Sequence, residues 1–428
     1  MQAASNCVID QGFATYDRQY RDTARKYRKA LRSLAGSLRK LSSFRKTSLL
    51  ASQQLYIYAK WLARYTAYWP ELDAMVARLE DSFDHHDQSY VGRQSPDDGS
   101  WGWHYQEFHH KFDATIVRLH ELAAARRAPR YALDFLEPVS TPQKMRDYLE
   151  HLRISDIATT GRNQRDEYGG VLTCLAQLCF KPTLRAYAER HVRGIKLDQA
   201  YVDCLADFLD ESQNPETGYW GPWYQADGQI HRYDDLSYTF HIVSYRKGDV
   251  KRWPEIIRTT FANRTAEYPL GWLANGEQNN HNNYDVAKIF RFGWPHMSSE
   301  QRQQASQEIA CMLEWCLRFA MDEEGRFVCE GGFYNSPAAC SYFGVSFLDE
   351  VGYFDEGKRF WTQRTFPGSA RDAMRIHHHL AAMDPKDPGV MAAKWKLGHG
   401  AGTTEPCPPQ TVLRVRNHHQ NAHRIIAL

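Results

Sequence analysis

Cysteine pairing, long apolar runs and an excess of charge of one sign are all missing from this chain. The nine cysteines are scattered, with no Cys-x-x-Cys pair and no zinc-ligand spacing. Cys174, Cys179, Cys204, Cys311 and Cys316 fall within apolar helical stretches, where a thiol acts as a small hydrophobe. That usage fits a reducing compartment. The most apolar early stretch, residues 55–69, is broken by Lys60 and Arg64, so no transmembrane segment is expected. The first ten residues show no basic segment leading into an apolar core, so a cytoplasmic location without a secretory signal is expected. A formal net charge of +2 gives no bulk electrostatic case for nucleic acid. Strand-like alternation is sparse. The adjacent histidines His109-His110 and His377-His378-His379 diverge around a helix and make poor chelates. His281 and Asp285, at i,i+4, lack an identifiable third ligand, so neither a metal nor a cofactor is expected.

Aromatic side chains are abundant at 13%, including 12 Trp and 24 Tyr, and serve helix–helix cores as well as sugar stacking. Hydrophobic residues at 43% suffice for a large core. Residues 15–47 are basic, with Leu31, Leu34, Leu38 and Leu41 at helical spacing. Their charges read most simply as the solvated face of a helical extension, although such a face also suits a membrane surface or an acidic partner. Helical patterns continue over 48–69 and, from Pro70, over 71–83.

A turn motif organises the rest. Gln-Ser-Pro-Asp-Asp-Gly-Ser-Trp-Gly begins at Gln94, and Gln-Asn-Pro-Glu-Thr-Gly-Tyr-Trp-Gly begins 119 residues later at Gln213. A weaker copy surrounds Gly325. Recurrence at near-fixed spacing signals an internally repeated architecture. Polar segments before Ala114, Gly169 and Thr239 each lead into an apolar helix, and 336–348 is a more apolar equivalent. Amphipathic helices over 145–152, 197–209 and 299–319 lie between them. The reading is all-α, a ring of helical hairpins whose apolar inner helices gather their polar starts at one mouth. The expected domains are a basic extension (1–47), the helical catalytic domain (48–395) and a poorly ordered tail (396–428).

The densest polar stretch is 278–292, Gln-Asn-Asn-His-Asn-Asn-Tyr-Asp ahead of the apolar positions Val286, Ile289 and Phe290. Helix capping explains one or two of these residues, not Asn279, Asn280, His281 and Tyr284 together. Repeated hairpins joined by Gly-x-Trp loops resemble the α/α toroids, which include carbohydrate-active enzymes and the terpenoid cyclase and prenyltransferase group. The two turns are similar to the QW motif of terpene cyclases, with one extra residue between Gln and Trp. Asn279-Asn280-His281 with Tyr284 resembles the Asn-Asn-His-plus-aromatic pattern of alginate-lyase-type toroids. That resemblance implies Asn280 with an arginine as the neutralising group, His281 as base and a tyrosine as acid.

The same chemistry follows from the reaction. Eliminating across a uronic acid removes a weakly acidic proton beside a carboxylate. It needs a group that neutralises the carboxylate, a base and a proton donor to the leaving oxygen. Asn280 could meet the carboxylate with Arg162, Arg165, Arg232 or Arg291, with His281 as base and Tyr284 or Tyr238 as acid. Glycoside hydrolysis or epimerisation would instead use paired carboxylates about 5–10 Å apart. For that role Asp113, Asp166, Glu167, Asp234, Asp235, Asp285 and Glu330 are candidates, with Tyr238 and His241 beside the Asp234-Asp235 doublet. Helix capping and dipole compensation account better for Asp113, Asp166 and Asp285 taken singly. Asn279, Arg162, Arg165, Arg232, His241, Trp101, Trp220, Trp223 and Glu330 are the candidate substrate contacts; Trp103 is a further stacking residue. The expectation is a lyase acting on a uronate-containing oligo- or polysaccharide. Hydrolase or epimerase chemistry, a terpenoid cyclase and a non-catalytic binding toroid are the alternatives.

Overall fold

A computed structural model describes residues 89–90, 92–103, 108–156, 163–226, 228–274, 276–328, 336–385 and 387–398. The basic extension, the helices expected over 48–83, Arg162, Glu330 and all of the tail beyond 398 lie outside the described residues.

The described chain is mostly helical, with few strands. Its helices are α1 (Phe108–Ala124), α2 (Pro142–Arg153), α3 (Arg165–Phe180), α4 (Pro182–His191), α5 (Gln199–Ser212) and α6 (Leu236–Tyr245). They continue with α7 (Trp253–Ala262), α8 (Asn280–Gly293), α9 (Ser299–Trp315), α10 (Pro337–Glu350), α11 (Ser369–Ala381) and α12 (Pro388–Gly398). Local chemistry explains their starts. Asp198, Asp235, Asn279 and Ser336 each cap a helix by accepting a backbone N–H, and such a cap contributes about 1 kcal/mol. Ser298 and Gln301 close a reciprocal capping box on α9.

Two kinds of helix alternate. Helices α1, α3, α6, α8, α10 and α12 pack each against the next in that order. Of these, α3 and α10 are buried almost all round, through runs such as Leu175–Cys179 and Ala338–Leu348. The intervening helices are one-sided: α9 buries only Ala305, Ile309, Met312 and Leu313. Cys311 lies on its exposed face, contrary to the expectation of an apolar setting, whereas Cys174, Cys179, Cys316 and Cys340 are buried. Close packing also needs missing side chains. A Cβ at Gly169 would stand 2.3 Å from the Tyr238 ring, so α3 and α6 meet where glycine leaves room.

The repeated turn is repeated in its hydrogen bonds. Gln94 Nε2 donates to Gly99 O and Tyr131 O at 2.8 and 2.9 Å; Gln213 Nε2 donates to Gly218 O and Lys251 O, both at 2.8 Å. Each glutamine thereby ties its turn to the segment ahead of the next outer helix. Gly99 and Gly218 take φ of +74° and +73°, and their Cα atoms lie against Ala132 O and Ile256 N. Trp101 N and Trp220 N both donate to threonine hydroxyls, Thr115 on α1 and Thr239 on α6. The third copy keeps the positive φ at Gly325, +80°, docked against Arg375 and Ile376 at the middle of α11.

Small sheets were not expected. Strand β1 (Ser89–Tyr90) pairs antiparallel with β2 (Gly102–Trp103). Strand β3 (Ile154–Ser155) runs parallel to β4 (Trp223–Ala226), which forms a hairpin with β5 (Gln229–Arg232). The second sheet is fixed to α3 because Gln164 donates its backbone N–H to Ser155 Oγ at 2.9 Å and its side chain to Ile154 O.

Candidate functional site at the start of helix α8

Residues from the starts of α3, α6 and α8 meet at one end of the packed helices, with Phe343 from the middle of α10 beside them. Arg165, the first residue of α3, reaches Asp235 ahead of α6, with Nε and Nη2 at 2.9 and 2.5 Å from Oδ2. Asp235 is fully buried, and its other oxygen accepts the Tyr238 N–H at 3.1 Å. Burial, the largest single influence, would depress the Arg165 pKa, but Asp235, Tyr268, Tyr238 and Asp166 together outweigh it and hold the guanidinium charged, its pKa well above the ordinary value. The guanidinium lies 5.6 Å from the Tyr238 ring and 6.0 Å from that of Tyr268.

Tyr268 in turn meets His281 edge to face at 5.5 Å, and Phe343 from α10 meets the same imidazole at 4.7 Å. Asn282 fixes the tautomer. Its Nδ2 donates to Trp272 O at 2.9 Å, which turns Oδ1 toward His281 Nδ1 at 2.7 Å. The proton therefore belongs on Nδ1, and Nε2 carries the lone pair. Burial holds the imidazole down at about 4, with the Asn282 hydrogen bond opposing, so it is neutral at pH 7. Its side chain keeps 14% exposure, against 1% for Asp285, whose Oδ2 lies 3.9 Å from Nε2.

Neither Asp285 oxygen has a hydrogen-bond partner among the described residues. Burial, with Asp235 adding to it and Lys288 opposing, raises its pKa well above the ordinary aspartate value. A neutral imidazole thus faces a carboxyl that burial draws toward its acid form. Asn280 Oδ1, Asn279 Nδ2 and both polar atoms of Asn283 are also buried without hydrogen-bond partners among the described residues. Native interiors leave few such groups, and each costs about 1–3 kcal/mol.

The sequence candidates separate on this geometry. Arg165 and Asp235 pair directly and reach His281 through the Tyr268 ring, while Asn280 is buried on the first turn of α8 beside His281 in the sequence. Asn279 caps α8, its Oδ1 accepting the Asn282 N–H at 2.9 Å. The Tyr238 hydroxyl is given to Arg165 O, which occupies its proton within the fold. Tyr284 lies on α8 with its ring 5.3 Å from that of Phe240 and its oxygen 3.4 Å from Lys288 Nζ. Lys288 and Arg291 serve Glu350, whose carboxylate they pull down to about 2 against its burial. Asp234 is turned to the repeated turn, accepting from Thr217 Oγ1 at 2.7 Å and Asn214 Nδ2 at 3.3 Å. His241 stacks on Tyr245.

The tryptophan expectations need correction. Trp101 and Trp220 are buried in the core, and the Trp220 Nε1 donates to Leu209 O at 2.7 Å, so neither ring has a face to offer a sugar. Trp223 is half-buried and carries the guanidiniums of Arg153 and Arg232 at 4.0 and 4.2 Å from its ring centre. Trp103 is described in its backbone alone.

Sequence reading missed Tyr268. Burial pushes its phenol up to about 12 while Arg165 pulls it down, and Ser237 shares a hydrogen bond with it. Nothing in its Tyr-Pro context announces a site. Among the described residues, no three His, Cys, Asp or Glu side chains are gathered to hold a metal, and no helix is long and apolar enough to cross a membrane. No family model, curated protein or solved structure matches this chain.

Proposed function

We propose that this chain is an α/α-toroid enzyme that cleaves a uronate-containing oligo- or polysaccharide by β-elimination. The ordered packing of α1, α3, α6, α8, α10 and α12, with one-sided helices between them, supports the toroid. The observation that carries the chemistry is the neutral His281 beside the buried Asp285 carboxyl, with the charged Arg165 joined to it across the Tyr268 ring.

Asn280 and Arg165 hold the substrate carboxylate and offset the charge that develops on it. His281 Nε2 takes the proton beside it. Burial is what depresses this imidazole, and an arriving anion opposes that depression, so the base strengthens as substrate binds. A proton taken up by the imidazole favours ionisation of the Asp285 carboxyl 3.9 Å away. Tyr268 donates to the leaving oxygen, in place of Tyr238 and Tyr284. Substrate approaches past His281 and Arg165, which keep 14% and 20% side-chain exposure.

One observation favours a second reading. Asp235 and Asp285 are both buried carboxyls drawn upward, on adjacent helix starts, and a neutral Asp285 would suit the acid of a glycoside hydrolase. Incubation with a panel of uronate glycans separates the two. Ultraviolet absorbance of an unsaturated uronate, lost in His281→Ala, is expected. New reducing ends without absorbance would replace elimination by hydrolysis, and neither signal across the panel would overturn both.

A further inference from the structure

We propose that Arg153, Trp223 and Arg232 form a subsite for a second carboxylate of an acidic oligosaccharide, beyond the residue that reacts. This rests on the elimination reading above.

Strand register builds the subsite. Trp223 opposes Arg232 on one side and Ile154, the neighbour of Arg153, on the other. Both guanidiniums lie against the same indole, so two cations are brought together on one aromatic ring. Their partners differ. Arg153 pairs with Glu150, yet its Nε is buried with no hydrogen bond. Arg232 is exposed and has no ion pair among the described residues. Two guanidiniums against one indole, with Glu150 paired to Arg153 alone, leave a net positive charge that favours a further anion, and a stacked guanidinium loses little freedom on receiving it.

The position fits a chain extending from the reacting residue. Ser155, next in β3, binds the backbone of Gln164, and Arg165 follows at once. At the other end of the hairpin, Arg232 precedes the buried Asp235 by three residues. The sheet therefore stands beside the end where Arg165 and His281 meet. A carboxylate on a neighbouring sugar would lie across Trp223 with Arg232 on its open side.

Isothermal titration of the full chain in the His281→Ala background tests this without turnover. The probes are saturated tetrasaccharides of galacturonate, mannuronate and glucuronate, with their carboxyl-reduced counterparts. Arg232→Gln is expected to weaken binding of the preferred tetrasaccharide about fivefold, the upper range for an exposed ion pair. It should flatten the salt dependence and leave any binding of the reduced sugar unchanged. Arg232→Lys, which keeps the charge, should recover part of the loss, an outcome that damage to the hairpin would not produce. Wild-type affinity in Arg232→Gln, or equal loss for acidic and reduced sugars, overturns the subsite; continued elimination by the parent enzyme would then leave the function standing. If the parent chain binds none of the acidic probes, subsite and elimination reading fall together.

Discussion

Replacing Asp285 by Asn should make the protein more stable at neutral pH and less active. The carboxyl is 1% exposed and neither oxygen has a hydrogen-bond partner among the described residues, so burial draws the folded form toward the neutral acid. The unfolded chain ionises near the ordinary aspartate value. With the folded pKa raised, the folded state binds more protons, and stability falls as pH rises through the interval between the two values. Each tenfold difference in proton affinity corresponds to about 1.4 kcal/mol. Asparagine keeps the shape and the unpartnered polar atoms but never ionises, so it escapes that loss. Urea unfolding of both proteins from pH 3.5 to 8 should give curves that nearly coincide at the acid end and separate above the unfolded pKa, the variant being more stable by about 1 kcal/mol or more at pH 7. Turnover on the preferred uronate glycan should drop about tenfold to a hundredfold, as for a lost acid–base partner. Parallel stability curves at every pH, or a variant weaker at pH 7, would mean that Asp285 is ionised and partnered, and the site's chemistry as described would be wrong.

Three further outcomes follow from the same geometry. Asp235→Ala strands the Arg165 guanidinium and uncaps α6, and should cost about 3–5 kcal/mol in chemical denaturation. Gln213→Ala removes the two hydrogen bonds that join a repeated turn to Lys251 and Gly218, and should cost about 2 kcal/mol by the same measurement. With its pKa near 4, His281 should show no ring-proton titration by NMR between pH 8 and 5.5, and its nitrogen shifts should report the Nδ1–H tautomer. Because that folded value lies below the unfolded one, His281 contributes a loss of stability as pH falls from about 6.5.

How much was legible in the chain varies with the range of the interaction. The two Gln-x-Pro-acid-x-Gly-x-Trp turns announced a repeat because a positive φ and a buried glutamine demand the same residues each time. Helix type was legible for α3 and α10, whose apolar runs have no solvated face. The hairpin β4–β5 was not read, although Asp227-Gly228 is a hairpin turn signal, because β5 is mainly exposed and lacks alternation. In the site, Asn280, His281 and Asp285 share one helix start, so sequence proximity revealed them. Arg165 and Asp235 are 70 residues apart, and only the packing of α3 on α6 joins them. Tyr268 enters through a loop, and the choice among Tyr238, Tyr268 and Tyr284 depends on where each hydroxyl points, which no local pattern encodes.

Chemical rescue tests the central claim most directly. His281→Gly should abolish elimination of the preferred uronate glycan, and added imidazole should restore absorbance of the unsaturated product, with a rate that follows the neutral form of imidazole. Undiminished elimination by His281→Gly without imidazole would show that another group takes the proton and would contradict the assignment.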